Sequence, residues 1–521
     1  MIDPTLPYPS QRAPVCAANV VATSQPLAAN AGLEAIKHGG NAVDAAIAAA
    51  ITLTVVEPSG NGIGSDAFAL LWDGKELIGI NGSGRSPAGW HRDRFDHYAQ
   101  MPMFGWDTVT VPGAVSVWAA LSERYGKLSF ADLFQRAIEY AENGFQVGPR
   151  TAYLWQNQPP AQAGFPEFMR HFHPAPVVGQ RVVRSDMVKT LRDLAATEGE
   201  SFYRGALAER IERAAINEGG ALRASDLAAH NVNWVTPIST NYRGVSVHEI
   251  PPNGQGIAAL IALGILEHFE APKVDTADAT HLQIEAMKIG INNAATHIAD
   301  ADYMNTTVSE LLDPTVLASS AKQIKCDATS ITSEILPTSR DTVYLTTADA
   351  EGMMVSFIQS NYYGFGSGIV IPETGIAMQN RGFGFTLESG HPNEVGPKKR
   401  PFHTIIPGFL TLDAQSFASF GVMGGPMQPQ GHLQMVTRLV DYGQNPQAAS
   451  DAPRWLVNND FSVSLEPGFD SNVASNLASR GHAISYATDD HQFGGAQLIV
   501  RTENGYIAGS DHRKEGLAVG F

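Results

Sequence analysis

The chain has 521 residues, with 35 Lys plus Arg against 52 Asp plus Glu, and a formal net charge of −17. A content of 44% hydrophobic and 17% charged residues is that of a globular protein with a large core, and it excludes a disordered or fibrous chain. The acidic surplus argues against nucleic acid and anionic membranes as partners, because both require a cationic surface.

The cysteine content and the N-terminal residues indicate the compartment. Cys16 and Cys326 lie far apart and in no metal-type spacing, which excludes a disulfide framework and fits a reducing environment. The first residues, MIDPTLPYPSQRAPVCAAN, contain no apolar run, so we expect neither a secretory signal nor a lipoprotein anchor. The longest apolar stretch, residues 45–56, is too short to span a bilayer. These features predict a soluble, cytoplasmic protein.

The first 270 residues alternate between helical patterns and short strands. Gly39 and Gly40 are typical of a helix C-terminus, and Asn41 can cap the helix that follows. The next loop, SGNGIGSDAF, spaces its glycines as GxGxG before Ser65. That spacing differs from the dinucleotide fingerprint and no strand precedes it, so we expect tight turns here and no nucleotide site.

Residues 276–300 predict one long helix, after which the composition changes. Residues 327–341, DATSITSEILPTSRD, are rich in Ser, Thr and Asp, as is typical of a surface linker. The segments TVYLTTAD and MMVSFIQSN, joined by a short turn at residues 350–352, predict a β-hairpin. The sequence therefore places Thr342 at the first position of a strand, which we expect at the edge of a sheet.

Familiar catalytic and metal-binding motifs are absent: the sequence has no GxSxG elbow, phosphate loop or HExxH. Two close histidine pairs could suggest a metal, but neither has zinc-ligand spacing with a carboxylate in the expected place. The pairs are His171/His173 and His91/His97. We expect these histidines on the surface or in the core, and no metal site.

The threonine at the linker-to-strand junction is the remaining candidate nucleophile. Cleavage between Asp341 and Thr342 would release an α-amine with a pKa of about 7.7 to 8.0, which can accept the hydroxyl proton. The same hydroxyl could make the cut by attacking the carbonyl before it. Taken alone, the residues still favour an ordinary strand threonine, because β-branched residues prefer strands.

Motifs along nearly the whole chain resemble the gamma-glutamyltransferase family of N-terminal-nucleophile hydrolases. They include GGNAVDAAIAAAITLTVVEPSGNGIGSDAF, DLAAHNVNWVTPISTNYRG, PPNGQG, the block from DTVYLTTAD to GFGSGIV, KRPFHTIIP, GGP and GSDHR. The resemblance implies an α+β fold, a four-layer αββα sandwich, made as one precursor that cuts itself. The cut between Asp341 and Thr342 would give a large chain, residues 1–341, and a small chain, residues 342–521.

Position by position, the resemblance implies the catalytic residues. Thr342 matches the family's nucleophile, and Ser360 matches the second hydroxyl, which hydrogen-bonds the nucleophile's amine. Gly424 and Gly425 match the pair whose N–H groups face the oxyanion, although two glycines could also form an ordinary turn. Arg85 matches the arginine that grips the substrate carboxylate, in a register that could shift by two residues.

The departures from the family concern substrate binding. Gly384 stands where glutamyl-specific members have an acidic residue for the substrate ammonium, so this partner is expected to be missing. The family's Asn aligns with Tyr362, next to Asn361, and the paired serines become His403 and Thr404.

Arg381 stands where the family has a neutral amide. Two arginines, Arg85 and Arg381, and no acid predict a pocket for a carboxylate without a neighbouring ammonium. Alternatively, Arg381 pairs with Glu388 or Glu373 at the surface.

The resemblance thus implies an autoprocessing threonine amidohydrolase acting on a small carboxylate-bearing amide of the oxamate type. The alternatives are γ-glutamyl transfer or glutathione hydrolysis, a cephalosporin-type acylase, and, in another class, an uncut, inactive binding protein. No metal or organic cofactor is required. The expected partners are a small-molecule amide and the two processed chains as a heterodimer, which could pair again; no nucleic acid or membrane is expected.

Overall fold

Two seven-stranded antiparallel sheets lie at the centre of the computed structural model, which describes residues 11–329 and 342–521. The strands are β1 (Val15–Ala17), β2 (Val20–Thr23), β3 (Asp66–Trp72), β4 (Leu77–Asn81), β5 (Phe145–Gln146), β6 (Arg181–Val182), β7 (Asn233–Val235), β8 (Ile238–Tyr242), β9 (Val245–Glu249), β10 (Val343–Ala348), β11 (Met354–Ser360), β12 (Val370–Ile371), β13 (Ile376–Ala377), β14 (Gly408–Leu412), β15 (Gln415–Met423), β16 (Trp455–Val457), β17 (Val463–Leu465), β18 (Ile484–Tyr486), β19 (Gly495–Thr502), β20 (Gly505–Ser510) and β21 (Leu517–Gly520). The first sheet has the order β21-β2-β10-β11-β3-β4-β7, and the second β1-β20-β19-β15-β14-β9-β8.

Helices cover the outer faces of both sheets. They are α1 (Pro26–Lys37), α2 (Ala42–Val56), α3 (Ala114–Tyr125), α4 (Gln135–Asn143), α5 (Pro149–Gln156), α6 (Pro166–Phe172), α7 (Ser185–Ala196), α8 (Glu200–Arg204), α9 (Ala206–Asn217), α10 (Ala224–Ala228), α11 (Ile257–Leu266), α12 (Ala277–His297), α13 (Val308–Leu311), α14 (Pro314–Ala321), α15 (Met427–Val440), α16 (Pro446–Asp451) and α17 (Ser471–Ser479). Helices α2, α3 and α4 share a core with the first sheet, and α11, α12 and α15 share another with the second.

A third core lies between the two sheets. Phe68, Tyr344 and Ile358 contribute to it from the first sheet, and Phe409 and Ile499 from the second. Residues next to them in each strand turn the other way, toward the helices, because successive strand side chains alternate between faces. The layers therefore run helix, sheet, sheet, helix, which is the four-layer αββα arrangement expected from the sequence.

Local signals in the sequence set several boundaries correctly. Gly39 has a φ of +97° just after α1, and Asn41 caps α2 in a capping box with Asp44. Thr276 caps α12, whose 21 residues confirm the predicted long helix. Helix α2 is buried along its whole length, which explains its continuous apolar stretch as a core helix. Among the described residues, no helix combines the length and the apolarity that a membrane crossing requires.

The hairpin predicted around residues 350–352 is present, as β10 paired with β11. The expected position at the sheet edge is wrong: β10 is the third of seven strands, because β2 pairs along its other side. This pairing joins segments about 320 residues apart, and no local pattern announces it. Of the predicted linker 327–341, only residues 327–329 are described, and the Asp341 side of the expected cut lies outside the described residues.

Both sheets combine strands from before and after the undescribed segment. In the first sheet, β10 and β11 lie between β2 and β3, with β21 at the far edge. In the second sheet, β14, β15, β19 and β20 lie between β1 and β9. The residues before 330 and those after 341 therefore share one continuous hydrogen-bonded framework.

Candidate active site

Three polar residues form a row across the first sheet at one end of its strands. Thr342 directly precedes β10, Ser360 ends β11, and Asp66, directly opposite Ser360, begins β3. Tyr344, two residues along from Thr342, belongs to the core between the sheets. Since side chains two residues apart in a strand share a face, the row points into the space between the two sheets.

The hydroxyl of Thr342 is held by its neighbour on β11. Thr342 is 1% exposed, and its Oγ1 donates to Ser360 Oγ across 3.1 Å. Ser360 Oγ also accepts the backbone N–H of Tyr362 at 2.8 Å, which fixes the serine. Tyr362 has a φ of +77°, a conformation that is uncommon for a bulky residue and is often found where a site imposes it.

The glycine loop before β3 forms the wall behind Thr342. A Cβ on Gly60 would lie 3.3 Å from the backbone N, C and O of Thr342, so a larger residue here would press on the threonine backbone. The Gly60 carbonyl accepts the N–H of Asn361 at 3.2 Å, and Ser65 Oγ donates to Asn361 Oδ1 at 2.8 Å. The loop therefore supports the threonine and the residue after Ser360. The glycine spacing was the available signal, but on its own it predicted only tight turns.

Gly424 and Gly425 follow β15 in the second sheet. Their φ values are +117° and +56°, and a Cβ on Gly424 would lie 3.0 Å from the Cα of Gly494. Within the described ranges, neither N–H donates a hydrogen bond to another residue. Gln255, from the PPNGQG segment, donates Nε2 to the carbonyls of Thr404 (2.5 Å) and Gly425 (3.0 Å) and so ties the turn to the cleft.

Arg381 is completely buried, in a short 3₁₀ turn. Its Nη1 donates to Thr404 Oγ1 at 2.8 Å, and its guanidinium lies 4.6 Å from the centre of the Tyr362 ring. Burial lowers the pKa of Arg381 to about 10, so it stays cationic at neutral pH. Nε and Nη2 have no hydrogen-bond partner among the described residues. Surface pairing with Glu373 or Glu388 is therefore wrong; Glu373 pairs with Arg210 instead.

Asp66 is an acid that the sequence analysis missed. Its Oδ1 accepts the Gly113 N–H at 3.0 Å, and its Oδ2 lies 3.1 Å from His403 Nε2 and 4.0 Å from Arg381 Nε. Burial raises the pKa of Asp66 to about 7, against the opposing charge of Arg381. The expectation of two arginines and no acid is thus wrong. The available signal was a charged residue at an inward-facing position of a strand, where alternation predicts an apolar one.

His403 joins Asp66 to the second sheet. Its Nδ1 accepts the Ile405 N–H at 3.4 Å, so the ring proton is assigned to Nε2, which donates to Asp66. Burial, together with Arg381 and Arg400, holds the pKa of His403 well below its ordinary value and keeps the ring neutral.

Arg85 is not brought into this cluster by any described contact. Its Nη1 pairs with Asp300 Oδ2 at 2.5 Å, and its side chain is 39% exposed. It lines a separate cavity of about 340 Å³ together with His230, Lys398 and Arg400. Only its chain neighbour reaches the site, since the Gly84 N–H is hydrogen-bonded to Asp66.

A sequence model described as gamma-glutamyltranspeptidase matches residues 28–521. The chain belongs to the gamma-glutamyltranspeptidase family. It is 35% identical over 510 residues to the glutathione hydrolase-like YwrD proenzyme of Bacillus subtilis, covering 95% of this chain and 97% of that protein. It is 33% identical over 512 residues to the oxamate amidohydrolase proenzyme of Klebsiella pneumoniae, with the same two coverages of 95% and 97%.

The fold comparison agrees with this membership. The crystal structure of cephalosporin acylase from Bacillus halodurans matches with a TM-score of 0.95 at 46% identity, covering 100% of this chain and 99% of that one. The predicted family and fold are therefore confirmed, and the protein is an enzyme of the N-terminal-nucleophile hydrolase class. These three relatives carry three different substrate names, so the substrate has to be inferred from the site.

One further cluster in this gamma-glutamyltranspeptidase-family chain resembles a metal site. The side chains of His281, Glu285 and His482 offer ligand atoms within 4.8 Å of one another. The ammonium of Lys288 lies 2.8 Å from Glu285 Oε1 and 3.5 Å from His482 Nδ1, so a cation already contacts two of the three groups. The cluster also binds the carbonyl of Lys325 through His281 Nε2, so it fits a structural anchor better than a metal centre.

The glycine turn gives a testable prediction for this family member. If Gly424 and Gly425 form the oxyanion hole that the family resemblance implies, Gly424→Ala is expected to lower kcat by about 10² to 10³-fold, because the new methyl group meets Gly494 and would displace the two N–H donors. Gly468→Ala is the matched control, since Gly468 has a φ of +94° but open space around its Cβ position. Steady-state kinetics measures kcat for both variants. If Gly468→Ala lowers kcat as much as Gly424→Ala does, backbone strain alone explains the loss in Gly424→Ala.

Proposed function

We propose that the protein is an autoprocessing N-terminal threonine amidohydrolase that acts on a small carboxylate-bearing amide of the oxamate type. The observation that carries the proposal is the contact between Thr342 Oγ1 and Ser360 Oγ, which are both buried between the sheets at the end of an internal strand. A hydroxyl held in this way is oriented before substrate arrives, and only a base is needed to activate it.

Self-cleavage would supply that base. Thr342 Oγ1 attacks the carbonyl carbon of Asp341, the C–N bond breaks, and the Asp341 acyl group moves from nitrogen to oxygen as an ester. Water then hydrolyses the ester, leaving the Asp341 carboxylate and the α-amine of Thr342. The products are chains of residues 1–341 and 342–521, which stay associated as a heterodimer through the shared sheets.

Substrate turnover would use the same two groups of Thr342. The amine takes the hydroxyl proton as Oγ1 attacks the amide carbon, and the N–H groups of Gly424 and Gly425 stabilise the oxyanion. The leaving amine departs with the proton held by the α-amine, and an acyl ester remains on Oγ1. The amine then takes a proton from water, whose oxygen attacks the ester carbon, and it returns this proton to Oγ1 as the C–O bond breaks and the acid is released. Ser360 would position the amine throughout.

Arg381 supports the carboxylate as the recognised group. Its Nε and Nη2 are buried donors without a partner, and a guanidinium matches a carboxylate with two parallel hydrogen bonds. Asn361 Nδ2 is another buried donor without a partner in the described structure. The oxamate amidohydrolase of Klebsiella pneumoniae is among the similar proteins, which agrees with this substrate class.

Asp66 favours the second candidate, hydrolysis or transfer of γ-glutamyl groups. An ionised carboxylate next to Arg381 could bind the ammonium of an α-amino acid while the guanidinium binds its carboxylate. The similarity to a glutathione hydrolase-like proenzyme agrees with this alternative, as the solved cephalosporin acylase does with an acylase. We further propose a cytoplasmic location, which the exposed and unbonded Cys16 and Cys326 support because they suit a reducing compartment.

Denaturing electrophoresis and two substrates test the proposal. We expect two bands, of about 36 and 19 kDa from chain length, and faster release of ammonia from oxamate than of p-nitroaniline from a γ-glutamyl anilide. Faster turnover of the anilide would favour the γ-glutamyl alternative. A persistent single band at 55.7 kDa without activity would identify an uncut, inactive relative.

A further inference from the structure

We propose that Asp66 determines substrate class by its protonation state, and that a carboxylate-bearing substrate binds Arg381 only as Asp66 takes up a proton. This inference rests on the proposed function and specifies its substrate. It concerns Asp66, which is neither of the two hydroxyl residues, Thr342 and Ser360, in the proposed catalytic steps.

The position of Asp66 allows it to contact substrate. It lies directly opposite Ser360 and shares the face of the sheet that carries Thr342. Adjacent strands are about 4.8 Å apart, so the Cα of Asp66 is about 10 Å from that of Thr342. Its Oδ2 lies 4.0 Å from Arg381 Nε, one of the two donors left without a partner. A substrate carboxylate on Arg381 would therefore lie beside Asp66.

The charges around Asp66 decide whether its ionised or its protonated form allows a carboxylate ligand to bind Arg381. Arg381 is the nearest cation, while His403 is neutral and donates a hydrogen bond. Arg400 acts at longer range and is engaged with the carbonyl of Ser83, and Tyr203 is uncharged.

With Asp66 ionised, a bound carboxylate would put two negative charges on one guanidinium in a buried site. Keeping both the Asp66 carboxylate and the ligand carboxylate ionised costs free energy, so one of them takes up a proton. Protonated Asp66 removes the repulsion and can donate its O–H to the ligand.

A substrate that carries an ammonium makes the opposite demand. The ionised form of Asp66 would attract the ammonium, and the protonated form would not. Because burial raises the pKa of Asp66 to about 7, both states are accessible near neutral pH. The pH dependence of binding therefore reports which substrate class the site is built for.

Oxalate, the expected product of oxamate hydrolysis, is a suitable probe for the processed enzyme. We expect its Ki to rise about tenfold per pH unit above pH 7, because binding then requires uptake of one proton. Calorimetry in buffers of different ionisation enthalpy should show uptake of about one proton per oxalate at pH 8, and this measurement needs neither a variant nor turnover. Asp66→Asn should lose the rise that begins at pH 7 and keep only the dependence above about pH 8 that deprotonation of the Thr342 α-amine causes, while the exposed Asp413→Asn behaves as the wild type.

Three results would overturn the inference. The first is binding of oxalate without proton uptake, and the second is an unchanged pH profile in Asp66→Asn. The third is an affinity for L-glutamate that rises through pH 7 while oxalate does not bind, which would assign Asp66 to an ammonium. Failure of the proposed function is seen separately, as absence of chain cutting or of ammonia release from oxamate.

Discussion

Thr342→Ala is expected to leave one uncut chain of 55.7 kDa with no measurable amidase activity. The substitution removes Oγ1, which we propose as the nucleophile for both self-cleavage and turnover, and without the cut no α-amine is released. Loss of a nucleophile that acts as a unit with its base typically costs at least about 10⁴-fold in kcat. Electrophoresis and an ammonia-release assay on the purified variant measure both effects.

Two variants control this experiment. Thr346→Ala changes another buried threonine of β10, four residues along, whose Oγ1 contacts Ser419. It should still mature and turn over substrate. Thr342→Ser keeps a hydroxyl and should still be cut. A Thr342→Ala protein that matures into two chains would exclude Thr342 as the processing nucleophile.

Asp511→Asn is expected to reduce the free energy of unfolding by about 3 to 5 kcal/mol, since it breaks a buried ion network. Asp511, in the GSDHR segment, is fully buried and accepts from Arg454 Nη2 at 2.6 Å and from Arg513 Nη1 at 3.2 Å. The variant leaves these two buried cations with one compensating charge fewer. Denaturant unfolding of the wild type and the variant measures the difference, and Asp413→Asn, at an exposed turn, should change it little.

The same variant has a predictable pH dependence. Burial alone would raise the pKa of Asp511, but the charges of Arg454 and Arg513 outweigh it and hold the pKa well below its ordinary value. The ionised carboxylate therefore stabilises the fold fully above its unfolded-state pKa of about 4, and this stabilisation is lost as the pH falls below that value. The difference in the free energy of unfolding between the wild type and Asp511→Asn should therefore become smaller below about pH 4. A difference that stays constant from pH 7 to pH 3 would show that charge is not its cause.

Local elements were predictable from the sequence, whereas long-range pairing was not. The cap at Asn41, the helix Ala277–His297 and the hairpin around residues 350–352 each follow from neighbouring residues. The interior position of β10 depends on β2, a segment far away in the chain, so the edge assignment had no local correction.

The candidate site shows the same division. The motifs placed Thr342 and Ser360 together, as the structure does. Arg381 was singled out, but its burial depends on Tyr362 and Thr404 approaching from other segments. Asp66 was missed because its contacts with Arg381 and His403 form only where three separate segments of the chain converge.

Strands from before residue 330 and from after residue 341 are interleaved in both sheets, and this arrangement sets the order of folding and self-cleavage. Each half of the polypeptide supplies interior strands to the other's sheets, so neither half could complete its own hydrogen-bonded ladder. Folding should therefore precede self-cleavage. The uncut Thr342→Ala precursor should regain its structure at a rate independent of dilution. The mature enzyme, once denatured, should refold as a second-order association of two fragments and recover poorly at nanomolar concentration.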